Sequence, residues 1–465
     1  MDTKAKNIDI SIVDIFILMI EDKNNLKEIS NKTSIGFLPI MNKPILFYQL
    51  EFLERQNIKE VHLLINKDDI VSTNIFISQY LGPIKIDLIE INNEGLEIFQ
   101  IIRKKITKNN FIIIEGDSLL SFDLFEFLDF HVDNKNLISL IIQKKEFEYS
   151  KLSFLKDETI DVFGVDKENN NKIVFYNKKK SDNTEPIKIN KEILKRCSRF
   201  NLLLNYMDIG FYIFNDSIFH ILDDISSKND DKKEKNKQKV EIDSIKDDFI
   251  PYLIKNTFYK KLNMILIKNS DCNMLKANRI KINAKLIDNE KNINKEYCYK
   301  IYDYPSYLAT IEEIQKPYDE IRPIFFQTKN NAKNYFLNFA DKIRDNLENH
   351  KRFNENIPEL ENISENTYVA EKIENIEKGA KLKKTVANQN LKIQEGSEVT
   401  SCIIGVNSVI GKNCKLTNCI IGKFSVIGDN SEISECVIED NYNVAENTKA
   451  SNRILCKENE DLSFA

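Results

Sequence analysis

The chain has 465 residues, 42% of them hydrophobic and 30% charged, with a formal net charge of −5. This length suits two or three domains, and the composition is that of ordinary globular protein. The charge balance excludes a broadly basic nucleic-acid binder, and no apolar run reaches the ~18 residues a membrane helix needs.

At the N-terminus Lys4 and Lys6 precede the apolar stretch Ile10–Ile20, a pattern with the outline of a signal peptide. Asp14 interrupts it, and Glu21 and Asp22 stand where small cleavage-site residues belong. The stretch is therefore expected to be a buried first strand of a cytoplasmic protein. The 8 cysteines do not form the two close pairs of a structural zinc site, which suits a reducing compartment.

From residue 1 to about 225, strand-like and helix-like segments alternate. Ile12–Ile20, Glu60–Ile65, Ile84–Ile91, Phe111–Glu115 and Leu137–Gln143 are apolar runs of strand length. Ile45–Gln56 and Glu94–Lys105 carry helical patterns between them. Such alternation predicts an α/β domain with a mostly parallel sheet. The insert Ser226–Lys239 has no residue able to anchor a core and is expected to be a disordered loop, roughly 226–240. Ser244–Phe258 reads as a helix, and residues 260–360 mix strand-like and charged helical stretches.

The last hundred residues are periodic. Cys402, Cys419 and Cys436 stand 17 residues apart, and the pairs Ile403-Ile404, Ile420-Ile421, Val437-Ile438 and Ile454-Leu455 keep the same period. So do Ile410, Ile427 and Val444, and Leu416, Ile433 and Ala450. Extending backwards gives Ala387, Ile393 and Val399, then Ala370, Ile376 and Leu382. One inward residue per hexad predicts a parallel β-helix, whose coils stack ~4.8 Å apart and cannot fold singly. The cysteine row reads as stacked reduced thiols acting as small hydrophobes, not as a metal or disulfide site.

Residues 37–50, FLPIMNKPILFYQL, resemble the sugar-phosphate nucleotidyltransferase family. Leu38, Pro39, Asn42, Lys43, Pro44, Tyr48, Leu50, Glu51 and Leu53 match its motif in place. Phe111–Asp117 resembles the strand whose final Asp holds Mg²⁺ in active members. Phe163-Gly164-Val165 with Ile173–Lys178 resembles the substrate-side hairpin, and Asp208–Phe214 the strand beside the sugar pocket. The resemblance implies a Rossmann-like sheet domain and, C-terminally, a left-handed parallel β-helix.

The motif is broken where the chemistry would occur. Active members place three glycines and an arginine in the first loop, and then a Pro-Lys-Pro. Glycines let backbone N–H groups approach a triphosphate, and the cations stabilise the leaving pyrophosphate. Here Ile20, Glu21 and Lys23 replace the glycines, Asn25 the arginine and Ile35 the lysine. Glu21 and Asp22 would repel phosphate. Asp117 alone reads as a turn cap. The histidines His62, His131, His220 and His350 are scattered, and read as surface or satisfied core residues. No catalytic, cofactor-binding or metal-binding residue is assigned, and no cofactor is expected.

A degenerate domain of this kind joined to a β-helix resembles the gamma-subunit family of initiation factor 2B. The domain bounds expected are 1–300, a connection over 301–364 and the β-helix over 365–458. The chain ends at Ala465, and the helical exchange domain of the related epsilon subunit is expected to be absent. The resemblance implies a non-catalytic scaffold that supports guanine-nucleotide exchange on initiation factor 2, its partners being the epsilon and other subunits, with no direct contact to nucleic acid or membrane. A nucleotide-sugar pyrophosphorylase, or its regulatory subunit, is the alternative, and an unrelated β-helix scaffold a third reading.

Overall fold

The computed structural model describes residues 13–19, 26–30, 34–40, 43–91, 95–145, 151–155, 159–180, 186–189, 191–197, 199–230, 242–256, 281–287, 297–314, 367–369 and 375–457. Two compact units are present. One comprises Met1–Ile20, Leu50–Glu146 and Glu158–Cys298, the other Glu21–Gln49, Phe147–Asp157 and Tyr299–Ala465.

The first unit is built on one sheet. Its strands are β1 (Val13–Met19), β2 (Glu60–Asn66), β3 (Lys85–Ile91), β4 (Asn110–Glu115), β5 (Ile138–Lys144), β6 (Thr159–Asp166), β7 (Lys172–Lys180), β8 (Asn201–Leu203), β9 (Tyr206–Asn215) and β10 (Ile282–Ile287). Their order is β8-β6-β7-β10-β5-β9-β4-β1-β2-β3. The parallel arrangement holds for β4-β1-β2-β3 and for β5-β10. Strand β9 runs antiparallel to both its neighbours, and β6 and β7 form a hairpin. The alternation of apolar runs carries no information on strand direction. A central strand such as β9, buried from Met207 to Phe214, reads the same either way.

The helices of this region are α1 (Ile45–Arg55), α2 (Ile70–Gln79), α3 (Leu96–Lys105), α4 (Leu124–Asp133), α5 (Ile218–Asp230) and α6 (Ile250–Asn256). Helix α3 buries Ile98, Phe99 and Ile102 on one face and ends in Arg103, Lys104 and Lys105, where cations suit the helix dipole. Helix α5 runs through Ser226 to Asp230, so the start of the expected disordered insert is helical. The remainder of the insert, 231–241, lies outside the described residues. The expected helix Ser244–Phe258 opens instead with one π turn, Ile245–Phe249, and becomes α-helical in α6. Its last two residues lie outside the described ones. Phe111 stacks on Phe214 with centroids 5.2 Å apart, and Phe99 meets Phe249 at 4.8 Å, at the centre of the core.

In the second unit the expected coil is present. Ala387, Ile404, Ile421, Ile438 and Leu455 pair in parallel register at 17-residue steps. Ile393, Ile410, Ile427 and Val444 form a second column, and Leu382, Val399, Leu416, Ile433 and Ala450 a third. All these inward residues share one core. The first coil departs from the expected register. Val369, not Ala370, pairs with Ala387, a step of 18. Ile376 regains the step of 17 by bridging Ile393. One extra residue therefore lies between them. Two adjacent small apolar residues hide such a slip, because either satisfies the pattern.

The corners of the coil need a left-handed backbone. Asn407 and Asn441, Asn413, Asn430 and Asn447, and Asn418 and Asn452 supply it, with φ between 51° and 59°. Asparagine tolerates this region better than most side chains. Phe424 fills the corner between Asn407 and Asn441 at φ 57° and is 53% exposed.

The cysteine row also has a corner role. Cys402, Cys419 and Cys436 are buried free thiols. The backbone N–H of Cys419 points at Cys402 Sγ, 3.4 Å away. Two serine-bearing corners repeat the arrangement. Cys414 N–H donates to Ser397 Oγ at 3.0 Å, and Ser425 N–H to Ser408 Oγ at 3.4 Å. A small side chain that receives the next coil's N–H is what each corner needs, and Cys, Ser and Thr all provide one. Among the described residues no group of three His, Cys, Asp or Glu side chains is placed to hold a metal ion.

Candidate functional site

Within the sheet unit, chemistry-bearing side chains gather along β4, β6, β7 and β9. Asp208, 1% exposed, accepts the Gly210 N–H at Oδ1 (2.9 Å) and the Tyr212 hydroxyl at Oδ2 (2.9 Å). Asp161, 5% exposed, accepts the Tyr176 hydroxyl at Oδ1 (3.0 Å) and faces Lys246 Nζ across 3.0 Å at Oδ2. Tyr212 Oη also lies 3.4 Å from Glu115 Oε1. Lys178 on β7 pairs with Asp247 at 3.1 Å. The π turn thus supplies a cation to one carboxylate and an anion to one lysine of the same hairpin.

Local geometry enforces this closure. Gly210 has φ +80°, and a Cβ there would stand 2.4 Å from Glu115 Oε2. Only glycine lets β9 approach the Glu115 side chain this closely. Burial alone pushes the Asp161 carboxyl up. The Lys246 ammonium and the Tyr176 hydroxyl outweigh it and hold the group below the usual carboxylate range. Tyr212 is pushed well up, by burial first and then by Asp208 and Glu115, and so stays a neutral donor. In this cluster Lys246 meets the Asp161 carboxylate, and the Gly210 N–H and the Tyr212 hydroxyl meet that of Asp208.

Asp117 sits in the turn after β4, where Gly116 N–H donates to Leu18 C=O at 2.9 Å and Ser118 Oγ lies 3.1 Å from Asp117 Oδ1. Residues Ile20, Glu21, Asp22, Lys23 and Asn25, which replace the phosphate loop, lie outside the described residues, as does Asn42. Ile35 is described, and belongs to the second unit. It opens a short 3-10 turn, Ile35–Phe37, and is 3% exposed.

The segment around Ile35 has become structural. Glu28 C=O accepts the Asp440 N–H of the coil at 3.1 Å, and its carboxylate accepts the hydroxyl of Tyr304. Tyr304 belongs to helix α7 (Tyr304–Ile314), whose Tyr307 hydroxyl donates to Pro39 C=O at 2.6 Å. Tyr48 closes the segment by donating to Ile40 C=O at 2.8 Å. The coil also binds a second piece, since the Leu152 N–H donates to the Glu435 carboxylate. The segment from Glu28 to Pro39 thus contacts both the coil and α7.

The histidines are not brought together. His62 Nδ1 lies 2.8 Å from Asp87 Oδ2, and its ring stacks on Phe16 with centroids 4.8 Å apart. His131 is buried against Ser139, and its Nε2 has no hydrogen-bond partner among the described residues. His350 lies outside the described residues. Asp161, Tyr176 and Lys246 were not singled out by sequence. The alternation along β7 marks Tyr176 as inward, but nothing local links Asp161 to a lysine 85 positions later.

Comparison with known proteins agrees with this architecture. The family model described as nucleotidyl transferase matches residues 24–250, and the one described as GlmU-like, C-terminal hexapeptide matches residues 352–445. A Dictyostelium discoideum protein named translation initiation factor eIF2B subunit gamma is 24% identical over 235 residues, 47% of this chain and 51% of that protein. A Schizosaccharomyces pombe protein of the same name is 22% identical over 331 residues, 67% of this chain and 68% of that one. The matched length is thus about half of the first relative and about two thirds of the second. The chain joins a nucleotidyl transferase domain to a GlmU-like hexapeptide domain, and it is similar to the gamma subunits of translation initiation factor eIF2B.

Proposed function

We propose that this chain is a non-catalytic gamma-type subunit of initiation factor eIF2B. In this reading it acts in the cytoplasm and supports guanine-nucleotide exchange on initiation factor 2 only through an assembled epsilon subunit. The observation that carries the reading is Ile35. Nucleotidyl transfer needs a cation at that position to stabilise the leaving pyrophosphate, and a residue 3% exposed in an apolar setting offers none. Glu28, close by in sequence, is engaged with Tyr304 and the coil. The two relatives named as gamma subunits support the choice of complex.

The retained Gly116-Asp117 turn favours a second reading, the regulatory subunit of a nucleotide-sugar pyrophosphorylase. One pair of experiments separates the two. The purified chain, given each nucleoside triphosphate with sugar 1-phosphates and Mg²⁺, is expected to release no pyrophosphate above a blank. Affinity capture from its own cells is expected to bring down other eIF2B subunits. Recovery of a pyrophosphorylase chain instead assigns it to the second reading, and robust pyrophosphate release overturns both.

A further inference from the structure

Among the buried polar atoms of the sheet unit with no hydrogen-bond partner among the described residues are His131 Nε2, Asn136 Oδ1 and Asn283 Oδ1. Their residues are 2%, 4% and 2% exposed. They belong to one neighbourhood. His131 Nδ1 and Asn136 Nδ2 both lie 2.9 Å from Ser139 Oγ. Asn283 is the register partner of Ser139 on the adjoining strand β10, so the two side chains share a face of the sheet. The Asn283 amide is held by donation to Asn170 C=O at 3.0 Å, which leaves its oxygen directed away from that bond.

The hydrogen-bond inventory fixes the proton on His131. Asn136 Nδ2 is a donor, so Ser139 Oγ accepts from it. Ser139 has a second lone pair, but its proton has no other acceptor among the described residues, so the arrangement that leaves no donor unmet has His131 Nδ1 accept it. Burial pushes the imidazole down to about 3, so the ring is neutral near pH 7 and carries its one proton on Nε2. The orphan set is then one donor and two acceptors, and each carries a desolvation penalty if left unpaired.

We infer that the pocket between α4, β5 and β10 is a binding site for one internal water molecule, which accepts from His131 Nε2–H and donates to Asn136 Oδ1 and Asn283 Oδ1. Buried waters typically make about three such bonds. Water suits this set because its single oxygen supplies an acceptor and two donors. The site lies apart from the carboxylate and tyrosine cluster and does not depend on the function proposed above.

The test uses the intact protein. Long-range ¹⁵N–¹H correlation of the His131 ring is expected to give the Nε2–H tautomer, with a cross-peak from that proton to bound water. A high-resolution crystal structure is expected to place a peak about 2.7–3.2 Å from His131 Nε2 and from both amide oxygens. An Nδ1–H tautomer overturns the inference. So does direct pairing of Nε2 with either asparagine in the absence of such a peak.

Discussion

Lys246 Nζ lies 3.0 Å from Asp161 Oδ2, an ion pair whose side chains are 16% and 6% exposed. It ties the π turn to the β6-β7 hairpin. A buried charge left alone costs far more than the pair contributes, so its two halves behave unequally under substitution.

Lys246→Met is expected to destabilise the protein by about 3–5 kcal/mol, because it leaves the Asp161 carboxylate uncompensated. Adding Asp161→Asn should recover most of that loss. The folded-state carboxyl is depressed, so its contribution is present above the unfolded value and is lost as pH falls below it. Urea titrations at pH 7 and at about pH 2.5, below the ordinary carboxylate value of 3.8, check both statements. Equal loss for the single and double variants would remove the ion pair from the account.

Asp440 behaves oppositely. Burial, the largest influence, pushes its carboxyl up to about 6, although the side chain accepts the Lys423 N–H at 2.7 Å. A raised acid contributes fully below the unfolded value of 3.8, and that contribution is lost as pH rises through about 6. Asp440→Asn keeps an acceptor for Lys423 and is expected to stabilise the coil by up to about 2–3 kcal/mol at pH 7.5, with the gap closing below pH ~4. Melting curves across that range measure it, and a gap that does not change with pH contradicts the burial of a charge there.

The register of the coil is tested by two substitutions a few positions apart. Ile427→Asp puts an unpaired charge in the core, at a cost of several kcal/mol (~4 or more), and Asn430→Asp at a corner should cost under ~1 kcal/mol. Phe424→Asn is expected to raise stability by roughly 1 kcal/mol, since it places the corner residue of Asn407 and Asn441 at the same positive φ. Similar melting temperatures for Ile427→Asp and Asn430→Asp would show the register to be misassigned.

The corner thiols should act as small side chains hydrogen-bonded to the backbone, as Cys419 is by donating to Thr417 C=O at 3.2 Å, and not as metal or redox groups. Cys419→Ser is expected to fold with a loss of about 1 kcal/mol, and Cys419→Leu to lose more through overpacking. In the native protein Cys402, Cys414, Cys419 and Cys436 should react with a thiol reagent only on unfolding, because all four are buried. Fast modification of these four, or a stoichiometric metal ion released with them, runs against this role.

The coil was legible because each corner and strand recurs 17 residues later, so one reading is checked by the next. The slip at Val369 was not, since Ala370 satisfies the same pattern. Strand positions in the sheet followed from apolar runs, but the antiparallel course of β9 did not, because direction leaves no trace in periodicity. The outward row Lys381, Glu398, Lys415, Glu432 and Lys449 also went unread, although its alternating charge keeps the same period. Lys381 and Glu398 meet at 2.7 Å, and Lys449 and Glu432 at 3.2 Å. Partnerships such as Tyr304 with Glu28 join residues 276 apart, and only the fold brings them together.

The central claim is that this chain contributes to exchange through a partner and not by itself. Its most direct test is the release of labelled guanine nucleotide from initiation factor 2 in the presence of this chain alone, an epsilon subunit alone, and both. The account predicts no release above background with this chain alone, and faster release with the pair than with epsilon by itself. Release driven by this chain unaided, or a rate for the pair equal to that of epsilon alone, would contradict it.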